Sequence, residues 1–295
     1  MSNGVLVIID RPAIGQAGPG EAFRVVSDDR PSLRATTLAA TRGDGIFETA
    51  AIRDGKVQAA AAHLARFTRS AQMLDLPAPD PAVYTAAIEH GISLLPDAAD
   101  AAVKYVLTRG DEVDGSVGPI GWAHVHVSDD FSGARRNGVR VVLLSRGYAL
   151  DVVETAPWLL QGAKTLSYAV NLAALREAGR RGADDVVFTT TDGYVLEGPT
   201  SSVVARFGDT LVSTPAEAGV LPGTTQEGVF GYAASIGLAT AVRELRVEEL
   251  AAADALWLTS SVRLAVAVRA VDGVERTVDE AFTAAVNAYL IARTD

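Results

Sequence analysis

The 295 residues carry 36 acidic against 26 basic side chains, a net charge of −10, with 48% apolar residues; this is enough apolar material to bury the cores of about two domains, in a chain too acidic for a general nucleic-acid or anionic-membrane binder. Cysteine is absent, which excludes disulfide scaffolds, thiolate metal sites and thiol catalysis. Three lysines, Lys56, Lys104 and Lys164, stand against twenty-three arginines, so chemistry that needs an ε-amine has three candidates. A strand is expected at 5–9, closed by Asp10-Arg11-Pro12. Residues 45–52 and 56–59 flank Asp54-Gly55, a hairpin turn. Helical periodicity runs over 60–76, with Leu64, Phe67, Ala71 and Leu74 on one face. Pro77, Pro79 and Pro81 end that helix, and a second helix covers 81–95. Strands at 102–108 and 122–127 enclose a Gly/Asp-rich loop.

The polar stretch 128–138 reads as a linker between a smaller N-terminal α/β domain, 1–127, and a larger C-terminal domain, 139–295. The second half opens with a strand at 139–144 and a helix at 168–181, which ends in Arg180-Arg181-Gly182. A meander follows at 185–190, 194–197, 201–207 and 211–213, turned by Asp192-Gly193 and Gly208-Asp209. A helix at 224–236 has Thr at its cap and Gly237 beyond its end. Strands at 255–259 and 264–271 precede a terminal helix at 278–292. The class is α+β, mixed α and β with antiparallel hairpins. No run reaches the ~18–20 apolar residues of a membrane span, and the first residues lack a signal-peptide pattern. A soluble, cytoplasmic protein is expected, with no nucleic-acid or membrane partner.

Phosphate-loop, dinucleotide and nucleophile-elbow motifs do not occur. His124 and His126 share one face of a strand, half of a metal site; without HExxH or cysteine they read as a plain histidine pair, and no metal is expected. Chemistry concentrates in four segments. The first is Gly43-Asp44-Gly45-Ile46-Phe47-Glu48-Thr49 with Asp54-Gly55-Lys56 and His63-Leu64-Ala65-Arg66-Phe67. The second is Ala163-Lys164-Thr165-Leu166-Ser167. The third runs from Asp192-Gly193-Tyr194 through Leu196-Glu197-Gly198-Pro199 to Ser202. The fourth is Leu221-Pro222-Gly223-Thr224-Thr225, with Thr259-Ser260-Ser261 beyond it. In this order and spacing they resemble the fold-type IV pyridoxal-phosphate enzymes, the class IV aminotransferases. That family includes branched-chain and D-amino-acid aminotransferases and 4-amino-4-deoxychorismate lyase.

The resemblance implies a two-domain fold whose C-terminal domain is a pseudo-barrel, pyridoxal 5'-phosphate as cofactor, and a homodimer. It makes Lys164 the Schiff-base lysine. By its surroundings alone, Lys56 is a solvated turn lysine, and Lys104 lies in a strand with room for a local role. Glu197 matches the acid that keeps the pyridine nitrogen protonated; without the resemblance it would be an exposed strand-end glutamate. Gly223, Thr224 and Thr225 open a helix, where free amides and the dipole favour an anion, although the same residues make an ordinary cap. Arg66 matches a phosphate contact, yet it lies off the apolar stripe and could equally be solvated. Ser260 and Ser261 match phosphate contacts more loosely, and Tyr168 is a candidate for the cofactor's phenolic oxygen.

Within the family, the compact length and the Lys-Thr-Leu-Ser segment resemble actinobacterial 4-amino-4-deoxychorismate lyases. The implied substrate is an anionic amino compound, for which Arg109 and Arg263 are candidate cations, though each could be a surface or strand-edge arginine. The alternatives are an aminotransferase for D-amino or branched-chain amino acids, and a non-catalytic binding module on the same fold.

Overall fold

The computed structural model describes residues 4–18, 20–30, 32–95 and 100–293. The chain divides into two compact units, Met1–Asp129 with Ala163–Tyr168, and Asp130–Gly162 with Ala169–Arg293. The segment bearing Lys164 therefore groups with the first unit, not with the C-terminal stretch where the sequence places it. The reason lies in its backbone, which hydrogen-bonds to residues 45–47.

In the first unit the elements are β1 (Gly4–Ile9), β2 (Phe23–Val26), α1 (Leu38–Thr41), β3 (Gly45–Arg53), β4 (Lys56–Val57), α2 (Ala60–Met73), α3 (Pro81–Ser93), β5 (Asp100–Thr108) and β6 (Ile120–Val127). Six strands form one antiparallel sheet in the order β2-β1-β6-β5-β3-β4. Alternation along β3 turns Ile46, Glu48, Ala50 and Ile52 to one face, the face on which Glu48 meets α2. Phe67 of α2, Tyr84 of α3 and Tyr105 of β5 pack there with ring centroids 4.9–5.8 Å apart. The tyrosine hydroxyl of Tyr84 donates to the Val106 carbonyl at 2.8 Å, which satisfies the one polar atom the helix brings into this core.

The buried stripe of α2 is His63, Arg66, Phe67, Ser70 and Ala71, at helical spacing. Of the stripe expected from Leu64, Phe67, Ala71 and Leu74, all but Leu64 are buried; the side turned toward Glu48 adds three polar residues, His63, Arg66 and Ser70, which hydropathy does not find.

The second unit contains α4 (Ser132–Asn137), β7 (Val139–Ser145), α5 (Val152–Thr155), α6 (Ala169–Arg180), β8 (Asp185–Thr189), β9 (Ser202–Phe207), β10 (Thr210–Ser213), α7 (Thr224–Ser235), β11 (Ala239–Val242), α8 (Val247–Ala252), β12 (Ala255–Ser260), β13 (Leu264–Val271), β14 (Val274–Glu275) and α9 (Glu280–Ala292). The strands order as β11-β10-β9-β12-β13-β7-β8, with β14 on β13. Period-2 alternation divides the sheet's buried residues among three cores. Val203, Ala205, Leu256, Leu258, Val266 and Val268 pack with Leu250 of α8. Val204, Trp257, Ala265 and Ala267 pack with Val229 of α7 and with Phe282, Val286 and Leu290 of α9. The third joins Val142, Val186 and Phe188 to Ala174 and Ala178 of α6.

Two expectations change here. The stretch read as linker contains α4, because Ala134 packs against the first of these cores. Residues 194–197 make no strand. Their amides turn to different partners, Val195 to the Leu245 carbonyl and Leu196 to that of Phe188, both at 2.8 Å, and only isolated bridges result.

Candidate active site

The first unit fixes Lys164 through its backbone. The Lys164 amide donates to Ser70 Oγ at 3.1 Å, while its carbonyl accepts from the Phe47 amide at 3.0 Å. Leu166 N–H donates to the Gly45 carbonyl at 2.8 Å, and Thr165 bridges Ile46. Gly45 is required for this docking, since a Cβ there would lie 2.7 Å from the Leu107 carbonyl and 2.8 Å from the Leu166 side chain. Lys164 Nζ lies 4.7 Å from the centre of the Phe47 ring, and Lys104 Nζ is at the same distance. Such a ring attracts a cation to its face, and burial lowers the Lys104 pKa. Tyr168 packs edge-on against that ring, with centroids 5.5 Å apart.

Beside Lys164, Glu48 accepts from Arg66 Nε and Nη2, both at 2.7 Å, and its Oε2 lies 2.8 Å from His63 Nδ1. Glu48, His63 and Arg66 are 0%, 1% and 9% exposed, so Arg66 is not the solvated arginine that its place off the apolar stripe allowed. Burial alone would raise the Glu48 pKa; Arg66 and His63 reverse that and hold it down to about 2. Burial lowers the His63 pKa, with Glu48 opposing, so the cluster is a bidentate ion pair beside a neutral imidazole.

In the second unit, Glu197 ends the irregular segment. Its carbonyl accepts from Phe188 N–H at 2.8 Å, and its Oε2 accepts from Leu221 N–H at 3.0 Å. A pocket beside it is lined by Ser202, Leu221, Pro222 and Gln226, among others. Gly223 caps α7 without a side-chain cap bond, and Thr224 and Thr225 are buried in the first turn. A Cβ on Gly223 would sit 2.3 Å from Ser202 Oγ. Thr224 Oγ1 and Ser261 Oγ face each other at 3.4 Å. A helix start with no side-chain cap, a glycine with no room for a side chain and two hydroxyls together fit a phosphate group.

Both candidate substrate cations, Arg109 and Arg263, are engaged within the protein. Arg109 Nε donates to Asp44 at 2.7 Å, and its Nη1 donates to the Asp75 carbonyl at 3.1 Å. Arg263 pairs with buried Asp185 at 2.8 Å. His124 and His126 stack with centroids 4.8 Å apart, and Asp28 lies 3.5 Å from His124; no group of three or more metal-ligating side chains occurs among the described residues. Sequence reasoning quoted Glu48 and His63 within its first segment without giving either a role, and did not single out Ser70 or Asp185. The first two were within reach: strand alternation puts Glu48 on the helix-covered face, and His63 precedes Arg66 by three residues, on the same side of a helix.

The family model for amino-transferase class IV matches residues 45–271. A bifunctional aminodeoxychorismate lyase / D-amino acid transaminase of Mycobacterium tuberculosis is 41% identical over 281 residues, covering 91% of this chain and 96% of the relative. The solved fold IV transaminase of Curtobacterium pusillum superposes with a TM-score of 0.96 at 46% identity, over 100% of this chain and 99% of that one. The PLP-bound form of an aminotransferase from Mycobacterium tuberculosis gives 0.88 at 38% identity, over 98% and 99%.

Proposed function

The chain belongs to the class IV aminotransferase family, whose members use pyridoxal 5'-phosphate, and from that premise we propose that it is an aminodeoxychorismate lyase. It would convert 4-amino-4-deoxychorismate to 4-aminobenzoate and pyruvate, working as a homodimer. What supports a lysine-based reaction here is the docking of Lys164, whose peptide group is held from both sides by Ser70 and Phe47. A lysine fixed in this way can present one amine reproducibly to a carbonyl.

Lys164 serves as Schiff-base lysine. Arg66, Gly223, Thr224, Thr225, Ser260 and Ser261 would hold the phosphate, Glu197 would pair with the pyridine nitrogen, and Tyr168 would serve the phenolic oxygen. When bound, the cofactor supplies an electron sink for charge released at the carbon bearing the amine. Lys164 Nζ would take the proton from the ring carbon that bears the substrate's amine. It then delivers a proton to the enolpyruvyl methylene as the carbon–oxygen bond to the ring breaks, and pyruvate departs. Aromatisation drives the step, so the protein mainly positions and protonates.

A second reading, D-amino-acid transamination, is favoured by the double name of the 41% identical relative. In that reaction Lys164 moves the proton without breaking a carbon–oxygen bond. The test has two parts. Purified protein should be yellow, and Lys164→Ala should abolish borohydride-trapped cofactor; a variant that still forms the adduct refutes the lysine assignment. A colourless protein with no affinity for pyridoxal phosphate would instead point to a binding module. Chorismate, glutamine and the upstream synthase should yield 4-aminobenzoate with this protein, and a panel of D-amino acids with a 2-oxo acid measures the transaminase reaction. Transamination with no 4-aminobenzoate overturns the lyase reading.

A further inference from the structure

We infer that Arg263 is a positioning residue: with Asp185 it holds the β12–β13 turn in the shape that presents Ser260 and Ser261 toward the start of α7. This rests on the reading of that turn and of residues 223–225 as a phosphate cradle. Arg263 Nη1 lies 2.8 Å from Asp185 Oδ2, with the two side chains 15% and 2% exposed. The other carboxylate oxygen of Asp185 accepts from the Val186 amide at 2.8 Å, so the acid is itself fixed to β8. The pair is not built for stability alone. Among the described residues Arg263 Nη2 is buried without a hydrogen-bond partner, an unfavourable arrangement for a charged donor. Ion pairs of this kind often contribute less than well-packed apolar groups of the same volume.

What the pair secures is an adjacent strained backbone. Leu264, the next residue, adopts φ +65 although it is not glycine, and is only 2% exposed. Such a residue persists only where its surroundings over-determine it. Asn287 of α9 supplies the other side of the grip, accepting from Ala265 N–H at 2.9 Å and donating to Ala265 C=O at 2.8 Å. The strained residue is therefore clamped on both flanks, by a side-chain ion pair before it and a two-bond amide contact after it. The turn so fixed carries Ser261, whose hydroxyl faces Thr224 at 3.4 Å. With the clamp released, Leu264 relaxes toward negative φ and the two serines shift relative to the helix amides. Because Asp185 already neutralises the guanidinium, Arg263 acts through this turn and is not itself a ligand.

The test compares apoprotein affinity for pyridoxal 5'-phosphate with that for pyridoxal, the ratio isolating the phosphate's share. Arg263→Met and Asp185→Asn should each lower the ratio about tenfold, the order expected for a charge-assisted contact, with the pyridoxal affinity unchanged. The double variant Asp185→Asn/Arg263→Met removes both buried charges and should recover thermal stability toward wild type, yet keep the lowered ratio. It also carries the test should a single variant fail to fold. Arg263→Lys, which retains the ion pair, should restore most of the ratio. A wild-type ratio in the double variant, or a ratio that merely tracks Tm across the series, overturns the positioning role. Ser261→Ala and Thr224→Ala separate the two levels. If both leave the ratio unchanged, the cradle reading fails; if they lower it while the Arg263 series does not, only the present inference fails.

Discussion

Replacing Glu48 by glutamine tests the cluster beside Lys164 most directly. The side chain is fully buried, and despite burial its pKa is held at about 2 against an ordinary value of 4.5 by Arg66 and His63. At 1.36 kcal/mol per pKa unit, that gap corresponds to about 3 kcal/mol of folding free energy at neutral pH. Glutamine keeps the shape and one acceptor but leaves the Arg66 guanidinium buried without its counter-charge, a loss of the same order. The pH dependence has a fixed sign. A carboxyl with a depressed folded pKa contributes fully above its unfolded value and loses that contribution as pH falls through the folded value. The wild-type advantage over Glu48→Gln should therefore be constant near neutrality and shrink between pH 4.5 and 2. His63, kept toward its neutral form chiefly by burial, costs both proteins stability below its ordinary value of 6.5, because the unfolded chain takes up that proton first; the difference between the two proteins is the quantity to follow. Urea unfolding of the apoproteins by circular dichroism at several pH values, with hydrogen exchange over 45–53 reporting on the first unit, provides the measurement. A difference below about 1 kcal/mol at pH 7, or one that does not narrow in acid, refutes the buried-pair reasoning.

Three other outcomes are expected. Glu197→Gln keeps the shape that accepts the Leu221 amide but removes the charge; turnover should fall by roughly 10²–10⁴ with the cofactor still attached, and unchanged turnover contradicts the assigned role. Gly223→Ala meets Ser202 Oγ at 2.3 Å and should cost about 1–3 kcal/mol together with affinity for pyridoxal phosphate, while Ser202→Ala in the same chain should recover part of both. Ser70→Ala removes the acceptor of the Lys164 amide; the expected loss of about 1 kcal/mol should appear as faster hydrogen exchange at that amide, and an unaltered rate there argues against the contact.

Much of the fold was legible because period and punctuation are local. The strand at Leu264–Val271 and the helix Thr224–Ser235 follow from a short continuous apolar run and from a closing glycine, all read within a dozen residues; the cap expected at Thr224 falls instead on Gly223. The short elements were not. Strand β11 is a mostly exposed edge of four residues, and α4 occupies a stretch whose polar composition resembles a linker; both exist because a neighbouring strand or core receives them.

The candidate residues divide along the same physical line. Composition and motif order suffice to assign the family, and the resemblance proposes one of three lysines, since an ε-amine, an acid after a hairpin turn and a glycine-led helix start are properties of residue type and spacing. Burial and pairing are properties of the folded chain. Only the tertiary structure turns Arg66 inward onto Glu48 and His63, engages Arg109 with Asp44 and Arg263 with Asp185, and groups residues 163–168 with the first unit. The partners of these ion pairs lie 18, 65 and 78 positions apart, beyond any periodicity a single strand or helix records. A charge shows its type in the sequence; whether it meets water, a ligand or a counter-charge is decided when distant segments pack.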